Sequence, residues 1–106
     1  MIRFHYHRSR RDIPNLGIAK GDGLCHVYSD TSRIELESWG RSHGLRPEWI
    51  HERTLPHFDA FGDRLALCGD GVSGAELKEH IRVWRQMRGA AAVSYTHLTL
   101  PTILLV

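Results

Sequence analysis

The sequence has little cysteine: only Cys25 and Cys68, which lie far apart and form no Cys-x-x-Cys pair. Two such cysteines cannot build the dense disulfide framework of a small secreted domain. They also lack the spacing of a zinc ribbon or of a thioredoxin-type redox motif. We therefore expect reduced thiols in a cytoplasmic protein.

Long apolar runs are also absent, and no segment approaches the roughly 20 residues needed to cross a bilayer. The start of the chain lacks the charged region and apolar run of a secretory signal. Acidic and basic residues nearly balance, with a formal net charge of +2. This charge by itself requires neither a nucleic acid nor a membrane as partner. We predict that the protein has no membrane partner.

The C-terminal stretch, residues 93–106, contains no Asp, Glu, Lys or Arg. Its first part, VSYTHLTLPT, is the translation of GTC TCT TAT ACA CAT CTG ACG CTG CCG ACG, which resembles the transposon-end adapter of sequencing-library preparation. We therefore expect residues 93–106 to be adapter-derived and the natural sequence to be interrupted near Ala92. The preceding residues, roughly ninety, suit one small domain with a modest core.

The order of predicted elements favours an α/β fold. Apolar and polar residues alternate over residues 1–6 and again over 24–29, which predicts two strands joined by an irregular basic connector over 7–23. A short third strand is predicted at 49–51. The capping boxes Ser32/Glu35 and Ser73/Glu76 predict the starts of two helices. We expect a single small domain with a short, mostly parallel sheet and two main helices.

The apolar stripes of the two helices predict the core. Residues at helical spacing in these stripes should meet against the strand at 24–29, and they are Leu36, Trp39, Leu77, Ile81 and Trp84. The tryptophans are accordingly predicted to pack inside the domain rather than to stack on nucleic-acid bases.

Scattered short motifs between Leu24 and Ser73 give a family resemblance. They are Cys25-His26, Asp30-Thr31, Glu35-Leu36, Gly44, Trp49, His57-Phe58-Asp59 and the turn from Gly69 to Val72. In this pattern the chain resembles domain-of-unknown-function family 4031 (DUF4031), small proteins of bacteria and phages. The resemblance implies a small α/β domain over residues 24–92, preceded by a basic strand and connector over 1–23. At the N-terminus the family's acidic strand is replaced by His5-Tyr6-His7-Arg8, and the family has no established activity to carry over.

Histidine and aspartate residues form the candidate site. Ligands bind at the carboxyl ends of the strands of a parallel sheet. Asp30, His57 and Asp59 each follow a predicted strand, and His26 lies near them. Imidazole and carboxylate together suit a divalent metal or general acid-base chemistry. Asp30, His57 and Asp59 are the candidate metal ligands. A structural role is the stronger alternative, in which Asp30 caps the helix or forms an Asx-turn, and His57-Phe58-Asp59 locks a turn.

Two other patterns are weaker candidates. Residues 69–74 match Gly-x-Gly-x-x-Gly, but no strand precedes them, and helix ends and a cap explain the glycines. His5 and His7 lie on one side of a strand and could form half of a metal site. No third ligand is evident nearby, and an exposed basic strand is the better explanation. Cys25 and His26 are neighbours on a strand, so they should point to opposite faces and cannot act as a catalytic pair.

Two functions follow from these patterns. The first is a non-catalytic binding or accessory module that contacts nucleic acid or an acidic partner through the N-terminal arginines Arg8, Arg10 and Arg11. The alternative is a small metal-assisted hydrolase that uses His26, Asp30, His57 and Asp59. The first hypothesis needs no cofactor, whereas the second needs a divalent metal.

Overall fold

The computed structural model describes residues 1–97, with side chains through residue 87. Three strands form one sheet in the order β1-β2-β3, namely β1 (Ile2–Arg8), β2 (Gly23–Ser29) and β3 (Phe58–Ala60). Two helices follow β2 and β3 in the chain, α1 (Arg33–Ser42) and α2 (Gly74–His97). Three short 3-10 helices occupy the connections, at Pro14–Leu16, Pro47–Trp49 and Gly62–Leu67.

The sheet is antiparallel, so the prediction of a mostly parallel sheet is wrong. β1 pairs with β2, and β2 with β3, both in antiparallel register. Parallel neighbours need a crossover connection, usually a helix, on one face of the sheet. Residues 9–22 contain Pro14, Gly17 and Gly21 and form a looped hairpin connection instead. This loop is closed by hydrogen bonds from Ser9 N to Asp22 O (2.9 Å) and from Gly21 N to Ser9 O (2.9 Å).

Both predicted helix starts are present. Ser32 Oγ accepts a hydrogen bond from the Glu35 backbone N–H at α1. At α2 the capping box is reciprocal, because Ser73 Oγ accepts from Glu76 N–H and the Glu76 carboxylate accepts from Ser73 N–H. The predicted third strand at 49–51 is wrong, since Pro47 begins a 3-10 turn there and the third strand is formed by Phe58–Ala60 instead.

The main core lies between α1 and one face of the sheet. Its buried members are Cys25, Val27, Leu36, Leu45, Ile50, Phe58 and Ala60. Leu36 belongs to this cluster and Trp39 packs against it, as predicted. Leu77, Ile81 and Trp84 are absent from the described cluster, so the prediction that both helical stripes meet in one core is wrong. Leu77 and Ile81 line a cavity instead, and Trp84 Nε1 donates to Ser29 O at 2.8 Å.

The two faces of the sheet differ in chemistry because side chains alternate along each strand. Cys25, Val27 and Phe58 point into the core, whereas His26 and Tyr28 lie on the opposite face. Cys25 and His26 therefore do lie on opposite faces. Part of the second face is covered by α2, where His80 Nδ1 hydrogen bonds the buried Tyr28 hydroxyl at 2.6 Å.

The helices contain no membrane span in the part of the chain that the structure describes. None of them is both long and apolar enough to cross a bilayer. The C-terminal helix continues through residues 93–97, the first part of the stretch predicted to be adapter-derived, and the rest of that stretch lies outside the described residues. Its adapter origin stays a prediction.

Candidate metal centre

Strand pairing places several histidines on the face of the sheet opposite the core, which we call the polar face. His5 and His7 alternate onto this face of β1, and His5 is paired directly with His26 on β2. His26 is in turn paired with Asp59 on β3. A row of imidazoles ending in a carboxylate therefore runs across all three strands. The ring centroids of His7 and His26 lie only 4.0 Å apart.

A second pair of imidazoles reaches Asp59 from the segment that leads into β3. His51 and His57 form an isolated antiparallel bridge, with hydrogen bonds from His51 N to His57 O (2.8 Å) and from His57 N to His51 O (3.3 Å). Their rings stack with centroids 5.2 Å apart. The turn between them, which contains Pro56, brings two residues six positions apart to the same carboxylate.

Three imidazole nitrogens surround the Asp59 carboxylate. His26 Nε2 lies 3.4 Å and His57 Nε2 lies 3.6 Å from Oδ1, while His51 Nε2 lies 3.1 Å from Oδ2. In a four-coordinate zinc site with bonds of about 2.0–2.2 Å, two ligand atoms are separated by roughly 3.3–3.6 Å. The observed separations are close to that spacing.

The donor atoms form two sets that share one residue. His7, His26 and Asp59 offer ligand atoms within 4.8 Å of one another, and so do His51, His57 and Asp59. Buried His7 Nε2 and Asp59 Oδ1 have no hydrogen-bond partner within the described part of the chain. Buried polar atoms without a partner are costly, and a bound ion is one of the explanations for them.

A backbone carbonyl occupies one ring nitrogen of His57 and leaves the other for a ligand. Its Nδ1 lies 2.9 Å from the Leu55 carbonyl oxygen, which can only accept a hydrogen bond, so Nδ1 carries the proton. Nε2, which lies 3.6 Å from Asp59 Oδ1, is then the ring nitrogen available to a metal. A backbone carbonyl that fixes the tautomer of a histidine is the usual outer support of a metal ligand.

Burial keeps the central imidazoles neutral. Burial, together with neighbouring His7 and His57, lowers the pKa of His26 to about 4, against the opposing effect of Asp59. Burial also lowers the pKa of His7. Neutral imidazole is the form that coordinates metals, so both side chains are ready to bind an ion at neutral pH.

A cavity of about 630 Å³ opens beside the cluster. His26, His51, His57 and Asp59 form one wall, Leu77 and Ile81 of α2 form an apolar wall, and Arg53, Thr54, Leu55 and Arg85 complete the lining. A pocket that combines convergent polar groups with apolar walls is typical of a small-molecule site.

The predicted site residues are only partly brought together. His26, His57 and Asp59 converge, but on one face of the sheet rather than at the carboxyl ends of its strands. Asp30 lies elsewhere, because its carboxylate binds the Met1 amine at 2.8 Å and Arg3 Nε at 2.7 Å. Burial alone would raise the pKa of Asp30, but these two hydrogen-bonded cations outweigh burial and lower it. Asp30 is therefore not a ligand of this cluster.

The sequence pattern gives His7 only as a weak candidate and does not identify His51. His7 is half of the predicted His5-x-His7 pair, and its missing partners are His26 and Asp59, which the hairpin register supplies. Nothing in the sequence distinguishes His51, which reaches Asp59 only through its bridge to His57.

The Gly-x-Gly-x-x-Gly stretch has a structural explanation. A Cβ atom at Gly71 would lie 2.9 Å from Tyr6 Cδ2, and one at Gly69 would lie 3.1 Å from Phe4 Cε2. These glycines therefore allow the turn to approach β1 closely. Val72 N donates to Phe4 O at 2.8 Å at the same place.

The arginines of the N-terminal loop are exposed. Arg8, Arg10 and Arg11 have no carboxylate partner within the described residues, and Arg8 Nη1 donates to Gly21 O at 3.0 Å. Arg3, by contrast, is paired with Asp30 and does not join them.

Comparison with known proteins finds one short similarity. A stretch of 30 residues is 47% identical to the uncharacterized protein YneQ of Bacillus subtilis strain 168, covering 27% of this chain and 30% of that protein. No family model and no solved structure matches. The resemblance to family 4031 therefore stays a prediction, and the similarity to YneQ brings no activity with it.

Proposed function

We propose that this protein binds a divalent transition-metal ion, with Zn²⁺ as the best fit, and uses it for hydrolysis. The observation that carries the proposal is the convergence of His7, His26 and Asp59, in which buried His7 Nε2 and Asp59 Oδ1 have no hydrogen-bond partner among the described residues. Nitrogen donors with one carboxylate are typical of zinc sites, whereas Ca²⁺ and Mg²⁺ prefer oxygen ligands.

Two imidazoles and one carboxylate leave a coordination position for water, as in catalytic zinc sites. Zn²⁺ lowers the pKa of its bound water to about 7, which generates hydroxide at neutral pH. The adjoining cavity would hold the substrate. Because Arg53 and Arg85 line it, we propose an anionic substrate, and Leu77 and Ile81 would contact an apolar part of that molecule.

Zinc titration of the full chain, prepared without an added histidine tag and stripped with a chelator, tests the first half of the proposal. We expect calorimetric binding by the native protein and a loss of affinity of more than about 100-fold in Asp59→Asn, since even outer-shell changes cost 10–100-fold. Asp70→Asn is the matched control, because Asp70 is exposed and outside the cluster. Absent binding, or equal affinity in Asp59→Asn, would overturn the metal site.

Release of nitrophenolate from bis(p-nitrophenyl) phosphate tests the second half. We expect zinc-dependent release by the native protein, abolished by Asp59→Asn and retained by Asp70→Asn. Zinc binding without any zinc-dependent release from this or a monoester probe would refute the hydrolase and leave a metal-binding protein.

A second candidate function is nucleic-acid binding through the N-terminal loop. The favouring observation is the group of exposed arginines Arg8, Arg10 and Arg11, none of which has a carboxylate partner in the described residues. Phosphate neutralisation by such residues gives affinity that falls steeply with salt. Titration with unrelated DNA and RNA oligonucleotides at low salt should show binding that the triple alanine variant loses. No detectable binding at low ionic strength would end this hypothesis.

We also propose a cytoplasmic location. Both cysteines are free and Cys25 is fully buried, which fits a reducing compartment. Fractionation of cells that express the protein tests this proposal, and recovery outside the cytoplasm would refute it.

A further inference from the structure

We propose that the cluster holds two divalent ions bridged by Asp59, and that the substrate is a phosphate ester that binds across both. The inference rests on the metal binding proposed above and adds the number of ions, the bridging ligand and the substrate class.

The two oxygens of the Asp59 carboxylate face different imidazoles. Oδ1 lies 3.4 Å from His26 Nε2 and 3.6 Å from His57 Nε2, and Oδ2 lies 3.1 Å from His51 Nε2. A single ion bound at Oδ1 would leave Oδ2 and His51 Nε2 without a metal. Two ions would use both oxygens, since a carboxylate can place one oxygen on each metal.

Two candidate ligand sets share the carboxylate, which lies beside His26 and His57 at Oδ1 and beside His51 at Oδ2. One set consists of His7, His26 and Asp59, and the other of His51, His57 and Asp59, so the carboxylate is the only shared member. Each ion would receive two imidazoles and one carboxylate oxygen, which leaves open positions on both. Paired catalytic ions in hydrolases are about 3.5–4 Å apart, a separation that a bridging carboxylate can span.

Different parts of the chain hold the two ligand sets in place. The first set depends on the β1–β2 register, which places His7 beside His26. The second depends on the bridge between His51 and His57 and on the Leu55 carbonyl that fixes the His57 tautomer. Each set can therefore be removed without disturbing the backbone that holds the other.

Charge balance identifies the substrate class. Two divalent ions bound by one carboxylate and four imidazoles would leave a large positive charge, and Arg53 and Arg85 add to it on the cavity wall. A bridging hydroxide and a phosphate group would offset this charge. In the reaction, the hydroxide oxygen attacks phosphorus as the P–O ester bond breaks, and the leaving oxygen takes a proton from water. One water is consumed, and an alcohol and a phosphate are released.

Zinc stoichiometry decides between one ion and two. Calorimetry and metal analysis of the untagged full chain should give two equivalents for the native protein and for the control His43→Gln, an exposed histidine outside the cluster. His51→Gln and His7→Gln should each give one equivalent, and Asp59→Asn should lose both tight sites. Circular dichroism of each variant would confirm that the fold is retained.

Two further readouts test the bridge and the substrate class. Mn²⁺-loaded native protein should show the exchange-coupled paramagnetic resonance spectrum of a close ion pair, and His51→Gln should show that of an isolated ion. Inorganic phosphate should bind the two-zinc form at least about 10-fold more tightly than the one-zinc form of His51→Gln.

The outcomes separate the two proposals. One equivalent in the native protein, lost in both His7→Gln and His51→Gln, would overturn the two-ion centre and leave the single metal site standing. Two equivalents without exchange coupling would overturn the bridge. Equal phosphate affinity in both forms would overturn the phosphate assignment. No zinc binding at all would overturn both proposals together.

Discussion

The contact between α1 and β3 predicts that Gly40→Ala destabilises the protein, although alanine is the better helix former. A Cβ atom at Gly40 would lie 2.6 Å from Phe58 Cζ and 2.8 Å from Phe58 Cε2. The ring cannot move away easily, because Phe58 is only 2% exposed and packs in the core beside Trp39. The added methyl must therefore displace either the ring or the helix.

Two opposing effects set the size of the change. Overpacking a well-filled core costs roughly 1–3 kcal/mol. Replacing glycine by alanine within a helix gains about 1 kcal/mol. We expect the clash to outweigh the gain in helix propensity, with a net loss of about 1 kcal/mol in the free energy of unfolding, or roughly 4–8 °C in melting temperature for a domain of this size.

Urea denaturation followed by tryptophan fluorescence and circular dichroism measures this change. Gly74→Ala is the matched control, because nothing lies within 4 Å of a Cβ atom at Gly74, and its effect should stay within about 0.5 kcal/mol. Phe58→Leu should relieve the clash, so the double variant with Gly40→Ala should show a favourable coupling of at least about 0.5 kcal/mol. A Gly40→Ala protein that is more stable than the native one, with no coupling to position 58, would refute the packing argument.

Three further changes test other contacts. Asp30→Asn removes a carboxylate whose pKa is lowered below its usual 3.8 by the Met1 amine and Arg3. The loss in the free energy of unfolding relative to the native protein should be largest above pH 4 and should shrink as the pH falls through the lowered pKa. A loss that does not change with pH in urea titrations would contradict this. Ser73→Ala removes the hydroxyl that accepts a hydrogen bond from Glu76 N–H and should lower the free energy of unfolding by roughly 0.5–2 kcal/mol in thermal denaturation. An unchanged stability would contradict the cap. Tyr28→Phe removes the 2.6 Å hydrogen bond to His80 and should cost roughly 0.5–1.5 kcal/mol, so an unchanged melting temperature would speak against that contact.

Local signals in the sequence predict the individual elements well. The caps Ser32 and Ser73 lie at the helix starts, and the alternation over residues 1–6 and 24–29 falls within β1 and β2. A helix cap and an alternating pattern each depend on a few adjacent residues, so both can be recognised in the sequence. Strand direction depends on how the connection folds back, and the 9–22 loop carries no pattern that separates a wide hairpin from a crossover.

The candidate site, like the fold, is only partly predictable from the sequence. His57 and Asp59 are neighbours in the chain, and His26 shares the short motif pattern, so all three could be recognised as candidates. His7 and His51 join them through pairing across the sheet and through the bridge to His57, which no local pattern encodes. Asp30 was misassigned because a carboxylate after a strand looks the same whether it binds a ligand or, as here, an amine and a guanidinium.

The hairpin register of β1 and β2 has a consequence for how this chain tolerates insertions and deletions. Side chains alternate faces with a period of two, so one residue added between Phe4 and His7 would turn the rest of β1 over and move His7 off the face that carries His26. One residue added in the 9–22 loop changes only the closure entropy, by a small fraction of a kcal/mol. Length variation should therefore be confined to that loop. The spacing from His5 to His7 and from His57 to Asp59 should stay fixed wherever this fold keeps the histidines of its polar face.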